Sequence, residues 1–286
     1  MATLKAIRKR IGSIRNTQQI TKAMKMVSAA KLRRAQEAVL QARPYAEKMA
    51  ALLKNLSARV SAEAHPLLTV GEEKKVQLWL LTADRGLCGG YNANLIRAAE
   101  GFLRSHGKEK EIQLAVVGRK GVDYFRRRKV EMAERYINIG GRPAEELAAE
   151  MAQKMIAGFL KEECDGLYIL YSRFRSALSQ VPTLEKLIPV AAEGEKGEGQ
   201  ATEYLYEPGL EALLASLLPK VVEVAIYRAL LEASASEHGA RMTAMDSATS
   251  NAAEMISTLT LQMNRARQAS ITKELLEVVS TAEALK

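Results

Sequence analysis

The chain has 286 residues, 48% of them apolar, with 42 Lys and Arg against 33 Asp and Glu for a formal charge of +9. That apolar share supports a folded core and excludes wholesale disorder, while isolated Cys88 and Cys164 exclude a disulfide scaffold or CxxC site. His65, His106 and His238 lie too far apart in sequence for metal-ligand spacing, and no membrane-length apolar run or signal-peptide core is present, so a soluble intracellular protein is expected.

Charge and aromatics divide the chain into three parts. Residues 1–57 hold 13 basic and two acidic residues, residues 209–286 hold 7 and 9, and residues 58–208 are balanced at 22 each. Twelve of the 14 aromatics fall in that middle part, as expected of a compact core between two segments of another kind. The expected domains are therefore 1–57, 58–208 and 209–286.

The first segment carries an alternating 3- and 4-residue seam through Leu4, Ile7, Ile11 and Ile14, then Leu32, Ala35, Val39, Ala42, Ala46, Met49, Leu53, Leu56 and Val60. Strict register lands on Gln18, Thr21, Lys25 and Ser28, so the apolar stripe is expected to shift there to Ile20, Met24 and Val27. The pattern predicts a long coiled-coil helix, kinked or interrupted at Pro44. The middle reads as α/β. Val76–Leu81 and Ile112–Val117 read as strands, with a Gly-rich turn at Asp84–Asn92 and an amphipathic helix to about Ser105 between them. Pro143 to Leu160 reads as a helix, Leu167–Tyr171 and Leu184–Val190 as further strands, and Glu193–Gln200 as a charged surface loop. Buried strands alternating with helices predict a doubly wound, mostly parallel sheet. The turn Asp84–Asn92 matches neither GxGxxG nor a P-loop, and Asp84 would repel phosphate, so no bound nucleotide is expected.

The last segment continues from Leu213, Leu217, Val221 and Val224 through Ala229, Ala233, Ala240, Ala244, Ala248 and Ala252 to Ile256, Leu259, Met263 and Ala266, with Pro219 expected to delay the helix. At ~1.5 Å per residue the two end segments are roughly 85 and 115 Å long, so they are expected to pair antiparallel beyond a domain only about 30 Å across. If they start level, paired residue numbers add to about 266, which sets Lys25 beside Arg241 and leaves the chain from Arg267 onward without a companion. That end is apolar, with Ile271, Leu275, Leu276, Val278, Val279, Ala282, Ala284 and Leu285. An apolar helix its own chain cannot cover predicts burial in another molecule. Self-dimerisation and a basic nucleic-acid-binding coiled coil are the competing readings.

Particular residues narrow the choice. Asn16–Ala30 (NTQQITKAMKMVSAA), Ser236–Ala252 (SEHGARMTAMDSATSNA) and Asn264–Ala284 (NRARQASITKELLEVVSTAEA) resemble the signatures of the γ subunit of rotary ATP synthases. The Asp84–Asn92 turn and Tyr204–Pro208 also resemble family features, and Ser280-Thr281 departs from a place where the family often has glycine. The resemblance implies a central shaft inserted in the ring of α and β subunits, with an α/β foot on ε and the membrane c-ring, at the cytoplasmic face of the membrane and in one copy per complex. It implies no catalytic residue, cofactor, metal or nucleic acid on this chain. It places Met24, Lys25, Lys31, Arg33, Arg241, Gln268, Thr272 and the apolar Ile271, Leu275 and Val279 against the α/β ring, with Lys22 and Arg34 extending the cationic surface, and Tyr204 and Tyr206 near ε and the c-ring. Cys88 is expected to be structural.

Overall fold

The computed structural model describes residues 4–57, 65–69, 71–190 and 209–284. The expected loop Glu193–Gln200 and the tyrosines Tyr204 and Tyr206 lie outside the described residues. Two long helices, α1 (Leu4–Ser57) and α5 (Leu210–Ala284), bracket an α/β region. The chain forms two compact units, residues 29–241 and residues 1–28 with 242–286.

In the larger unit, β1 (Lys75–Leu81), β2 (Glu111–Val117), β3 (Glu134–Tyr136), β4 (Gly166–Phe174) and β5 (Gln180–Ile188) form one sheet in the order β3-β2-β1-β4-β5. Every pairing is parallel except β4 with β5. Helices α2 (Tyr91–His106), α3 (Arg119–Arg127) and α4 (Ala144–Leu160) connect the strands. Alternate strand residues face opposite layers, as period-2 geometry requires. Leu78, Leu80, Leu114 and Val116 share a core with Leu95, Ile96, Ala99 and Phe125 of α2 and α3. Trp79, Leu81, Ala115 and Val117 share another with Met151 and Met155 of α4, Leu53 and Leu56 of α1, and Leu214, Leu218, Val222 and Ile226 of α5.

Three sequence expectations need correction here. Helix α1 runs unbroken through Pro44, and α5 starts at Leu210, so Pro219 lies inside it and delays nothing. An interior proline costs roughly 3 kcal/mol, but Leu214, Leu218, Val222 and Ile226 on the same stretch are each at most 1% exposed. Burial of such side chains contributes roughly 1.5–3 kcal/mol apiece and outweighs that cost. Strand β5 also runs from Gln180 to Ile188, earlier than the expected Leu184–Val190, because it pairs along the whole of β4 from Phe174 back to Leu167.

Gly118 turns the chain from β2 into α3 at φ +98°, and a Cβ there would stand 2.0 Å from the Thr82 carbonyl oxygen. Gly101, inside α2, has nothing within 4 Å of its Cβ position. Gly118→Ala is expected to lose about 3 kcal/mol or more from strain and overlap, whereas Gly101→Ala gains about 0.5–1 kcal/mol; urea unfolding of the two variants checks the opposite signs.

At the amino ends of the strands, the Glu73 carboxylate accepts from Lys110 Nζ (2.7 Å), Tyr168 OH (3.0 Å) and Lys186 Nζ, which lies 2.6 Å away. Burial alone would raise the Glu73 pKa, but these donors outweigh it and hold it at about 2, below the ordinary 4.5. A depressed carboxylate stabilises the fold fully above its unfolded value and loses that contribution as pH falls toward the folded one. The stability gap between the parent and Glu73→Gln should therefore be widest above pH 5 and close between about pH 4.5 and 2, as denaturant titrations at stepped pH would show.

Candidate functional site

In an open α/β sheet the strand order reverses at a crevice outside the carboxyl ends of the strands, where such folds seat their ligands. Here that point lies between β1 and β4. A stretch of α5 bridges it. Ser236 Oγ donates to the Ser172 carbonyl at the end of β4 (2.8 Å), and Tyr91 OH at the start of α2 donates to the Ala233 carbonyl (3.2 Å). Arg241 donates to the carbonyls of Gly86 (3.2 Å) and Arg85 (3.3 Å), in the turn after β1. The place of a small ligand is taken by the chain's own helix.

The Gly-rich turn is tied to neighbouring elements as well. Asp84 accepts from the backbone N–H groups of Arg119 and Asn138, both at 3.0 Å, and from Gly140 at 3.4 Å. A carboxylate thus holds the donors that could have cradled an anion. Asn92 accepts from Ala83 N (2.9 Å) and donates to Cys88 Sγ (3.1 Å). Burial raises the Cys88 thiol pKa, which keeps it protonated and unreactive.

Arg241 is the most enclosed of the expected interface residues that are described, with 9% of its side chain exposed and an ion pair to Glu237 at 2.6 Å. Burial raises the Glu237 carboxyl pKa and Arg241 opposes that rise. Burial, then the charges of Arg241 and Lys31, lower His238 to about 4, so its ring is neutral near pH 7 and Nδ1 accepts from Arg241 Nη1 at 3.2 Å. Lys31 and Arg33 are exposed, Arg33 pairing with Glu37 on its own helix at 3.0 Å. Such surface pairs contribute only about 0.3–0.5 kcal/mol.

In the smaller unit the two helices run antiparallel. Lys25 Nζ meets Asp246 Oδ1 at 2.6 Å and Thr249 Oγ1 donates to Thr21 Oγ1 at 2.8 Å, so the paired numbers add to 271 and 270. The level-start assumption is corrected by about one helical turn: the companion of Lys25 is Asp246, not Arg241. Side-chain fit sets the register, and the two helices are not constrained to start at one height. The expected stripe shift is also overturned. Thr21 and Ser28 are 8% and 2% exposed while Ile20 and Val27 are 60% and 57% exposed. Two hydroxyls occupy the seam, Thr21 satisfied by the Gln18 carbonyl and by Thr249, which leaves Ile20 and Val27 outside; Met24 is half-buried.

Beyond the pairing, every residue from Ile271 to Thr281 is exposed. Ile271, Leu275, Leu276, Val278 and Val279 are 49–65% exposed. Gln268 is exposed, and Thr272 donates back to the Gln268 carbonyl at 2.9 Å. The expected tip residues Ala282, Ala284 and Leu285 lie beyond the described side chains. Sequence reasoning missed Tyr91, Ser172, Ser236 and Glu237, although Ser236 and Glu237 open one of the quoted signatures and so carried a signal.

These features define a class: an α/β domain inserted between two long helices, with α5 seated where the fold would hold a ligand. The family model described as ATP synthase matches residues 3–285. The chain is 51% identical to the ATP synthase gamma chains of Geotalea uraniireducens and Moorella thermoacetica and 52% to that of Geotalea daltonii, each over all of both chains. It therefore belongs to the ATP synthase gamma chain family. Its fold resembles a chain in the Euglena gracilis mitochondrial ATP synthase OSCP/F1/c-ring structure, with a TM-score of 0.71 at 21% identity over 99% of this chain and 94% of that one. A chain of the Tetrahymena thermophila mitochondrial ATP synthase central stalk/c-ring structure matches at 0.62 with 25% identity, over 80% and 99%.

The register is testable by cross-linking. Thr21→Cys with Thr249→Cys is expected to form an intramolecular disulfide on mild oxidation, because the parent oxygens are 2.8 Å apart. Thr21→Cys with Met245→Cys, the pair that the level-start register favours, should cross-link far less; gel mobility with and without reductant reads both.

Proposed function

We propose that this chain is the central stalk of the F1 part of an ATP synthase, coupling rotation of a membrane c-ring to successive conformations of the catalytic β subunits. The observation that carries the reading is the exposed apolar stretch Ile271–Thr281, on a helix whose own chain offers it no cover. Contiguous exposed apolar surface of this kind marks an interaction site. Family membership and the likeness to a central stalk/c-ring chain support placing it in a sleeve of α and β subunits. A sleeve of apolar contacts suits a turning tip, since such contacts have no preferred direction.

In this reading the segments 1–57 and 209–286 form the shaft and 58–208 the foot. Ile271, Leu275, Val279, Gln268 and Thr272 face the ring at the tip. Met24, Lys25, Lys31 and Arg33 meet it lower down, where exposed cations favour an acidic loop of β. Arg241, mostly enclosed, supports that surface by holding Glu237 and the turn at Arg85–Gly86. Tyr204 and Tyr206 belong to the foot's contact with ε and the c-ring. No described helix is long and apolar enough to cross a membrane, which fits a peripheral subunit held at the membrane's cytoplasmic face by its partners. Catalysis and nucleotide binding belong to the partner subunits, and Asp84 in the turn after β1 occupies the N–H donors of Arg119 and Asn138 that an anion could otherwise use.

Ile271→Ser, Leu275→Ser and Val279→Ser together test the reading. Because all three are exposed, the isolated chain should unfold within a few degrees of the parent, while assembly with α and β should weaken about a thousandfold or more, each lost burial removing roughly 1.5–3 kcal/mol. Unimpaired assembly would refute the sleeve. A parent chain that self-associates in light scattering, or that copurifies with nucleic acid in place of α and β, would favour the competing readings.

A further inference from the structure

We propose that residues 227–241 of α5 form a polar keyway that fixes the helix against rotation about its own axis, and that torque passes between the α/β domain and α5 through this segment. The inference rests on the central-stalk reading above. Up to Ile226 the helix meets the domain through Leu214, Leu218, Val222 and Ile226, which are apolar. Such contacts are non-directional and resist axial twisting weakly. Hydrogen bonds hold a donor and an acceptor to a narrow distance and angle. From Tyr227 onward bonds of that kind are added to the continuing apolar contacts of Ala229, Leu230 and Ala233.

Tyr227 OH donates to Glu145 of α4 at 3.0 Å, and Arg228 pairs with Glu185 of β5. Glu232 faces Arg173 of β4 at 3.9 Å. The Ala233 carbonyl receives Tyr91 OH of α2, Ser236 Oγ reaches the Ser172 carbonyl of β4, and Arg241 grips the turn after β1. Successive residues of an α-helix are separated by about 100° around the axis. The hydrogen-bonded positions 227, 228, 233, 236 and 241 therefore point to every side of α5, and no single rotation of the helix relaxes them all. Ser236 is telling. Thr260, Thr272, Ser280 and Thr281 on the same helix donate back to carbonyls of their own turn, the usual habit of a mid-helix hydroxyl. Ser236 instead spends its donor on the sheet.

The test uses the whole chain assembled with α and β subunits. Tyr91→Phe with Ser236→Ala removes two of the cross-element donors with little change of shape. A rotation probe is attached at exposed Lys108→Cys, since Cys88 and Cys164 are buried. With the ring held in one nucleotide state, the variance of the probe's angle measures torsional compliance between domain and ring. The double variant is expected to raise that variance about two-fold or more over the parent. Met155→Ala, which loosens the core under α4 but removes no donor or acceptor of the keyway, is expected to leave it unchanged. Should the pair fail to assemble, the single Tyr91→Phe chain carries the same measurement. Unchanged variance in the keyway variants, or equal broadening in Met155→Ala, overturns the keyway while the stalk reading stands. A parent complex whose probe never turns under ATP overturns the stalk reading and the keyway with it.

Discussion

The passage of α5 across the carboxyl ends of β1 and β4 is the constraint on which the larger unit depends. A doubly wound sheet leaves a crevice there with backbone groups to satisfy. In this chain Ser236, Ala233 and Arg241 satisfy groups from β4, α2 and the turn after β1. Asp84 meanwhile ties up the neighbouring N–H donors. A fold that elsewhere seats a ligand has become a mount for a helix.

That mount gives the long helices different surroundings along their length. Between Ala229 and Arg241 the chain is buried or half-buried throughout, and every residue from Ile271 to Thr281 is exposed. The proposed role, held firmly by one set of contacts and free to turn within another, calls for this contrast. Directional polar bonds serve the first need and apolar surface the second.

The mostly parallel pairing and four of the five strands were legible because VQLWLL, IQLAVV and LYILY are dense apolar runs bounded by turns, whereas the order of the strands was not. Helix α3 escaped notice because RKGVDYFRR buries only Gly121, Val122 and Phe125 between charges. Strand β3 is three residues long and two of them are charged. The apolar stripe expected at Ile20, Met24 and Val27 fails for a physical reason: burial does not follow apolarity there, because Thr21 enters the seam by bonding to Gln18 and Thr249. The crevice residues were spread over positions 84–241 and no local pattern joins them.

The sequence alone determined that two long amphipathic helices flank an α/β region, that the final helix outruns its companion, and that its end is apolar; periodicity and composition are local and need no partner to be read. Only the tertiary structure decided the pairing of Lys25 with Asp246, the enclosure of Arg241 and the seating of α5 across the sheet. Those depend on which side chains of distant segments fit one another, and complementarity between distant surfaces leaves no periodic trace in a single strand of text.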